Sequence, residues 1–96
     1  MIVLSIWYYL LIQEDKELLI LEYIKIHTDF IKLQQALKLA NVVGQGSDAK
    51  IIIQNGLVKV NGEICTMRGK KCVVGDIITV SGELYENGKD FVFEVK

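Results

Sequence analysis

Ninety-six residues carry 11 Lys+Arg, 12 Asp+Glu and one His, a formal net charge of -1, and 51% are of apolar type with no Pro. So short a chain holds one compact domain at most, yet it has enough apolar residues for a core without disulfide or metal staples, which excludes disorder over most of its length. Two Cys are too few for a secreted disulfide framework, no basic stretch or small-residue cleavage site accompanies the apolar start, and a reducing cytoplasm is the expected setting.

Met1 to Ile12 is apolar apart from Ser5, and Gln13-Glu14-Asp15-Lys16-Glu17 interrupts the pattern before Leu18-Leu19-Ile20-Leu21. As a helix the first run would reach only about 18 Å, short of the roughly 30 Å hydrocarbon core, so no membrane span is expected. An exposed run containing Trp7, Tyr8 and Tyr9 would be a docking or aggregation surface, so it is expected to pack as a helix or pair with another chain. The other reading is a start placed too early: a Leu codon such as that of Leu21 can serve as a bacterial start, and the chain from there reads as self-sufficient. The expected division is an apolar extension over 1–21 and a domain over 22–96.

Tyr23, Ile24 and Ile26, with Lys25 and His27 between them, predict a short strand ending at Thr28-Asp29, a potential helix cap. Leu33, Ala36, Leu37 and Ala40 recur at i, i+3, i+4 and i+7, which predicts an amphipathic helix from Phe30 to Ala40 with Lys32, Gln35 and Lys38 as its polar stripe. After a connector from Asn41 to Gly46, Ser47 is the expected cap of a second helix. That helix holds Asp48 in its first turn, buries Ala49, Ile52 and Ile53, turns Lys50 and Gln54 outward, and stops at Asn55-Gly56. Beyond Gly56 the period falls to two. Leu57-Val58-Lys59-Val60 meets Asn61-Gly62, the strongest short hairpin signal, and Glu63-Ile64-Cys65 is the return strand. Thr66 to Lys71 is a basic loop; Cys72-Val73-Val74, the Gly75-Asp76 turn and Ile77 to Val80 supply the next strands, and Asn87-Gly88 marks a last hairpin before Phe91, Phe93 and Val95. There is no internal repeat and no low-complexity linker.

The inventory for catalysis is thin. His27 has no Ser or Cys close in sequence and reads as a surface or packing histidine, and Glu14-Asp15 reads as part of a solvated face. No phosphate-cradling GxxxxGK[ST], no GxGxxG and no HExxH occurs. Cys65 and Cys72 lack the spacing of a zinc knuckle and have too few partner ligands, so no metal is expected and both are read as small buried hydrophobes on neighbouring strands.

The net charge hides an asymmetry. Lys16 and Lys25 against Glu14, Asp15, Glu17 and Glu22 leave residues 1–27 at -2. Lys32, Lys38, Lys50, Lys59, Arg68, Lys70 and Lys71 against Asp29, Asp48, Glu63 and Asp76 leave residues 28–82 at +3, and the remainder returns to -2. A basic middle between acidic ends is where an anionic partner would sit. Ser47 opens a helix whose free N–H groups favour phosphate, and Lys50, Lys59, Arg68, Lys70 and Lys71 follow on a helix, a strand and a loop. A hairpin packed on the helix would gather these charges onto one surface. No aromatic residue occurs between Ile31 and Leu84, so such a surface is expected to read the backbone and shape of a folded RNA rather than unstacked bases.

Leu33 to Val80 resembles the S4 RNA-binding domain in its ordered motifs. These are a helix pair, then A-K-x-x-I-x-x-G-x-V-x-V-N-G from Ala49 to Gly62, then a basic stretch and V-G-D-x-I-x-V from Val74 to Val80. With the preceding strand and Arg68-Gly69-Lys70-Lys71 included, the chain is most similar to the small stand-alone S4-like proteins of the YaaA and YbcJ type. The resemblance implies an α+β, alpha-L fold, two short helices packed on a small, mostly antiparallel sheet of hairpins, with the helices and the first hairpin facing RNA. Lys32 and Gln34 fall where S4 domains often have Arg and Asp, Lys50 matches the basic residue of the second helix, and Lys59 and Asn61 match the strand before the turn. Lys38, Ser47, Arg68, Lys70 and Lys71 complete the expected contact set. Many S4 domains carry Arg in the connector before the second helix; Gln45-Gly46-Ser47-Asp48 offers no cation there, which implies weaker binding, with Asp48 serving the helix N-terminus.

The function expected is noncatalytic binding of structured RNA, ribosomal or transfer RNA, in the bacterial cytoplasm and in association with the ribosome, with no cofactor and no membrane. Contact of about five cations with phosphate would give a log-log salt slope near -4. The alternative is a protein-interaction module, supported by the apolar N-terminal run and by an extended Glu83 to Lys96 hairpin. A ubiquitin-like carrier is disfavoured, because Glu94-Val95-Lys96 is not the Gly-Gly that its chemistry requires.

Overall fold

A computed structural model of the chain describes residues 22–96. The expectations for the apolar run over 1–21, whether as extension, packed helix or misplaced start, lie outside the described residues.

The chain runs β1 (Tyr23–Ile24), β2 (Ile31–Lys32), α1 (Leu33–Leu39), α2 (Gly46–Gln54), β3 (Val58–Val60), β4 (Glu63–Ile64), β5 (Lys71–Cys72), β6 (Ile77–Val80), a 3-10 turn (Gly82–Leu84) and β7 (Phe91–Val95). Five strands form one sheet in the order β1-β7-β6-β3-β4, and β2 and β5 form a separate antiparallel pair. Only β1 and β7 run parallel, tied by the Glu94 N–H to the Glu22 carbonyl and the Lys96 N–H to the Ile24 carbonyl. The expected α+β architecture, a helix pair on a mostly antiparallel sheet, is the one observed.

Strand alternation decides the two faces of the sheet. Val58, Val60, Ile78, Val80, Phe93, Val95 and Ile24 are buried, and they form one core with Leu33, Ala36 and Leu37 of α1 and Ala49, Ile52 and Ile53 of α2. Both helices therefore cover that face. Burying each of these larger side chains contributes roughly 1.5–3 kcal/mol. Lys59 lies on the opposite face, registered against Ile64 and Thr79.

The helix ends are closed by backbone geometry. Past α1, the Asn41 N–H donates to the Lys38 carbonyl and the Val42 N–H to the Leu37 carbonyl, with Asn41 at φ 59°. Past α2, the Gly56 N–H donates to Ile53 and the Leu57 N–H to Ile52, with Gly56 at φ 75°. Both are Schellman closures, with Asn or Gly at the left-handed position. Asn61 (φ 52°) and Gly62 (φ 85°) form the primed two-residue turn that their sequence signals.

Three boundaries differ from expectation. The first helix starts at Leu33 rather than Phe30, because Ile31 and Lys32 are extended and pair with Cys72 and Lys71. Thr28 is consequently no cap; its hydroxyl donates to the Phe30 carbonyl at 2.8 Å. Ser47 sits inside the first turn of α2, and the N-cap is Gln45, which makes no side-chain capping bond. Asn87-Gly88 is not a tight hairpin either. The connection from Ser81 to Asp90 begins with a 3-10 turn whose Glu83 N–H donates to the Ser81 hydroxyl, and the Gly82 N–H donates to the Asp90 carboxylate at 2.7 Å.

The turn between β5 and β6 is locked by side chains. One Asp76 oxygen accepts the Val73 N–H at 2.9 Å and the other accepts the Asn61 amide at 3.0 Å, while the Asn61 oxygen accepts the Ile77 N–H at 2.9 Å. The first hairpin and the Gly75-Asp76 turn thus hold each other. Asp76→Ala is expected to cost about 1 kcal/mol, since these bonds are solvent-accessible. Combined with Asn61→Gly, which keeps the positive φ available, it is expected to show a coupling of at least about 0.5 kcal/mol in a denaturation cycle. Additive losses would contradict the shared network.

Candidate nucleic-acid interface

The separate β2–β5 pair builds the densest cationic site. Lys32 stands directly opposite Lys71 in the ladder, and both are exposed, while their neighbours Ile31 and Cys72 turn inward. The strand before α1 is thereby fastened to the strand after the basic loop. The loop itself is drawn onto the start of α1, where the Leu33 N–H donates to the Lys70 carbonyl at 2.8 Å and the Gln34 N–H to the Arg68 carbonyl at 3.1 Å. The Lys70 N–H closes back on Met67. These bonds occupy helix donors that would otherwise lack partners. They also fix the backbone that carries Arg68 and Lys70 beside Lys32 and Lys71.

Among the described residues, the side chains of Lys32, Arg68, Lys70 and Lys71 form no hydrogen bond to a protein acceptor. Like charges directly opposite in a ladder destabilise it by a few tenths of a kcal/mol or more. The fold therefore carries the Lys32–Lys71 pair against its own stability, an arrangement suited to an external anion.

An open groove separates this loop from the first hairpin. Lys70 and Lys71 line it together with Asn61, Ile64, Met67 and Val73. Glu63 and Asp76 also line it, but the Asp76 carboxylate is already engaged by Val73 and Asn61.

The remaining expected contact residues are distributed elsewhere. Gln34 is half-buried behind the loop. Lys38 lies in the last turn of α1, where it favours the negative end of the helix. Ser47 and Lys50 are exposed on α2. Lys59 projects from the sheet face away from the helices, directly opposite Ile64 of the groove lining, and shares a second depression with Glu83 and Asp90. Asn61 has both ends of its amide committed to the Asp76 turn.

One side chain at this site lay just outside the aromatic-free stretch. Phe30 is exposed beside the cluster, and the Lys71 ammonium sits 4.8 Å from its ring centroid. The expectation of a surface without aromatics is corrected here, since β-pairing brings residues 30 and 71 together across the intervening chain.

The cysteines occupy different surroundings rather than neighbouring buried strands. Cys72 is fully buried on β5, whereas Cys65 follows β4 in the other sheet and is only half-buried. Burial pushes the Cys72 thiol up to about 11, with Asp76 and Cys65 adding to the effect and Lys70 opposing it, so it is a packing group and not a nucleophile. Among the described residues, no group of three His, Cys, Asp or Glu is placed to hold a metal ion. No described helix is long and apolar enough to cross a membrane.

Comparison with known proteins agrees with this geometry. The probable ribosome maturation protein RlbA of Bacillus subtilis (strain 168) is 42% identical over 59 residues, which cover 62% of this chain and 83% of that protein. The family model of the S4 domain matches residues 24–86, from β1 through both helices and the hairpins to the connection before β7. With that match spanning most of its length, the chain belongs to the S4 domain family.

Proposed function

We propose that this chain binds structured RNA, ribosomal or transfer RNA, without catalysing a reaction on it, and that it acts in ribosome maturation in the cytoplasm. The observation that carries the reading is the cluster of Lys32, Arg68, Lys70 and Lys71, assembled by the β2–β5 ladder and the bonds from α1 to the basic loop. Such a preformed set neutralises phosphates without ordering a disordered segment first. Family membership supports RNA as the partner, and the likeness to the probable ribosome maturation protein of Bacillus supports the maturing ribosome as the setting. Lys38 and Lys50 extend the contact from the exposed sides of the helices, and Lys59 from the sheet, where Glu83 and Asp90 offset part of its charge.

The protein-docking alternative loses one of its supports. β7 lies between β1 and β6, so Glu83 to Lys96 is not an extended hairpin free to pair with another chain.

The four cations of the cluster alone give a log-log salt slope of about -3, steeper with each further lysine in contact, the coefficients being roughly -0.9 per contact on duplex and -0.7 on single strands. Titration of a fluorescent ribosomal RNA fragment at stepped potassium chloride measures it. A slope flatter than about -1 would contradict phosphate neutralisation by this cluster.

A further inference from the structure

We propose that Phe30 is a stacking platform for one unpaired nucleobase, with Lys71 taking the phosphate of the same nucleotide. The inference rests on the RNA-binding reading and narrows it: the preferred RNA carries a bulged or looped-out base rather than a continuous duplex.

Phe30 lies at the edge of the fold rather than in its core. It belongs neither to the buried core nor to the half-buried side chains packed against it, and 38% of it is exposed. The other described aromatics differ. Tyr85, Phe91 and Phe93 stack on one another, with ring centroids 6.4 and 5.8 Å apart. Tyr23 is exposed and has Lys96 at 4.9 Å from its ring, but its ladder partner is Glu94 and its chain neighbour is Glu22, which repel phosphate. Phe30 alone among them joins an open ring to the cationic cluster.

Lys71, an exposed residue, lies over one face of the ring, and that face is the one a base would reach by moving the flexible lysine aside. A base entering there displaces the ammonium from the ring, and the phosphate it brings offers that ammonium a stronger, fully charged partner. Lys32, across the ladder from Lys71, is placed for the adjoining phosphate. A paired base keeps both its faces stacked inside the helix and has none to offer, which sets the preference for an unpaired nucleotide.

The test uses the full chain with two RNAs, a continuous duplex and the same duplex bearing one bulged fluorescent adenine analogue. Wild type is expected to bind the bulged RNA more tightly and to quench the analogue. Phe30→Leu is expected to lose about 10-fold on the bulged RNA, within the roughly 5- to 150-fold range of a base–aromatic stack, to abolish the quench, and to lose much less on the continuous duplex, so that the preference between the two RNAs disappears. Phe30→Trp is expected to retain both the preference and the quench. Equal binding of the two RNAs by wild type, or a Phe30→Leu variant that keeps the preference, would overturn the platform alone. Failure of wild type to bind either RNA would overturn the RNA-binding reading and the platform with it.

Discussion

Lys32→Glu combined with Lys71→Glu is expected to weaken binding to structured RNA by at least about 100-fold at modest salt. Each charged hydrogen bond to phosphate contributes roughly 1.5–3 kcal/mol, so losing two removes at least about 3 kcal/mol before the new repulsion is counted. The salt slope should flatten by about two, one for each phosphate contact removed. The ladder keeps this result separate from misfolding. The double variant replaces one like-charged pair by another and loses the ammonium over the Phe30 ring, so its stability should fall by no more than about 1 kcal/mol. Lys71→Glu alone places an acid opposite Lys32 but removes the ammonium from the Phe30 ring, two effects of similar size and opposite sign, so its stability should stay within about 1 kcal/mol of wild type while RNA binding weakens. Anisotropy titrations beside thermal melts read both quantities. A double variant that binds as wild type does would remove the site.

Gly82→Ala is expected to cause the largest loss of stability of any single methyl added to this domain. A Cβ on Gly82 would lie 2.6 Å from the Gly88 carbonyl carbon and 2.8 Å from that of Lys89. These are backbone atoms, held by the bond from the Gly82 N–H to Asp90 and by the Gly88 N–H donating to Tyr85, so no side-chain rotation relieves the overlap. The expected cost is about 3 kcal/mol. For a domain of this size that lowers the melting temperature by roughly 10–20 °C. Gly44→Ala is the control: nothing lies within 4 Å of its added Cβ, and a change within about 0.5 kcal/mol is expected. A Gly82→Ala protein melting within a few degrees of wild type would contradict the close packing of the Ser81 to Asp90 connection.

Local periodicity made much of this fold readable. The spacing of Leu33, Ala36 and Leu37, and of Ala49, Ile52 and Ile53, names the buried helix positions, because a helix exposes its sequence period directly. Asn61-Gly62 announces its hairpin because few residue pairs tolerate two successive positive φ values. β1 was legible as a short strand from Tyr23 and Ile24, but its parallel partner β7 was not, and the two residues of β2 carry too little period to be told from the start of the helix; the partners of both lie far along the chain. The same distance hid the true start of α1, whose first donors are satisfied by carbonyls of the basic loop and not by a neighbouring cap.

For the site, the residue types were legible and their grouping was not. Seven cations between residues 28 and 82 signal an anionic partner, but only the β2–β5 register shows that Lys32 and Lys71 meet. The sheet face that Lys59 occupies was available from Val58-Lys59-Val60, because alternation places a lysine between two core valines on the side away from the helices. Asn61 was harder to place. Its left-handed backbone explains its residue type, but its amide contacts with Asp76 and Ile77 follow from tertiary pairing alone.

The most direct test of RNA binding through this surface is recovery of RNA crosslinked to the tagged full chain in cells, with sequencing, for wild type beside Lys32→Glu/Lys71→Glu. The account predicts enrichment of a defined structured RNA, ribosomal or transfer, that falls to background in the double variant. Equal and unenriched background for both proteins, or enrichment that survives the double reversal, would contradict it.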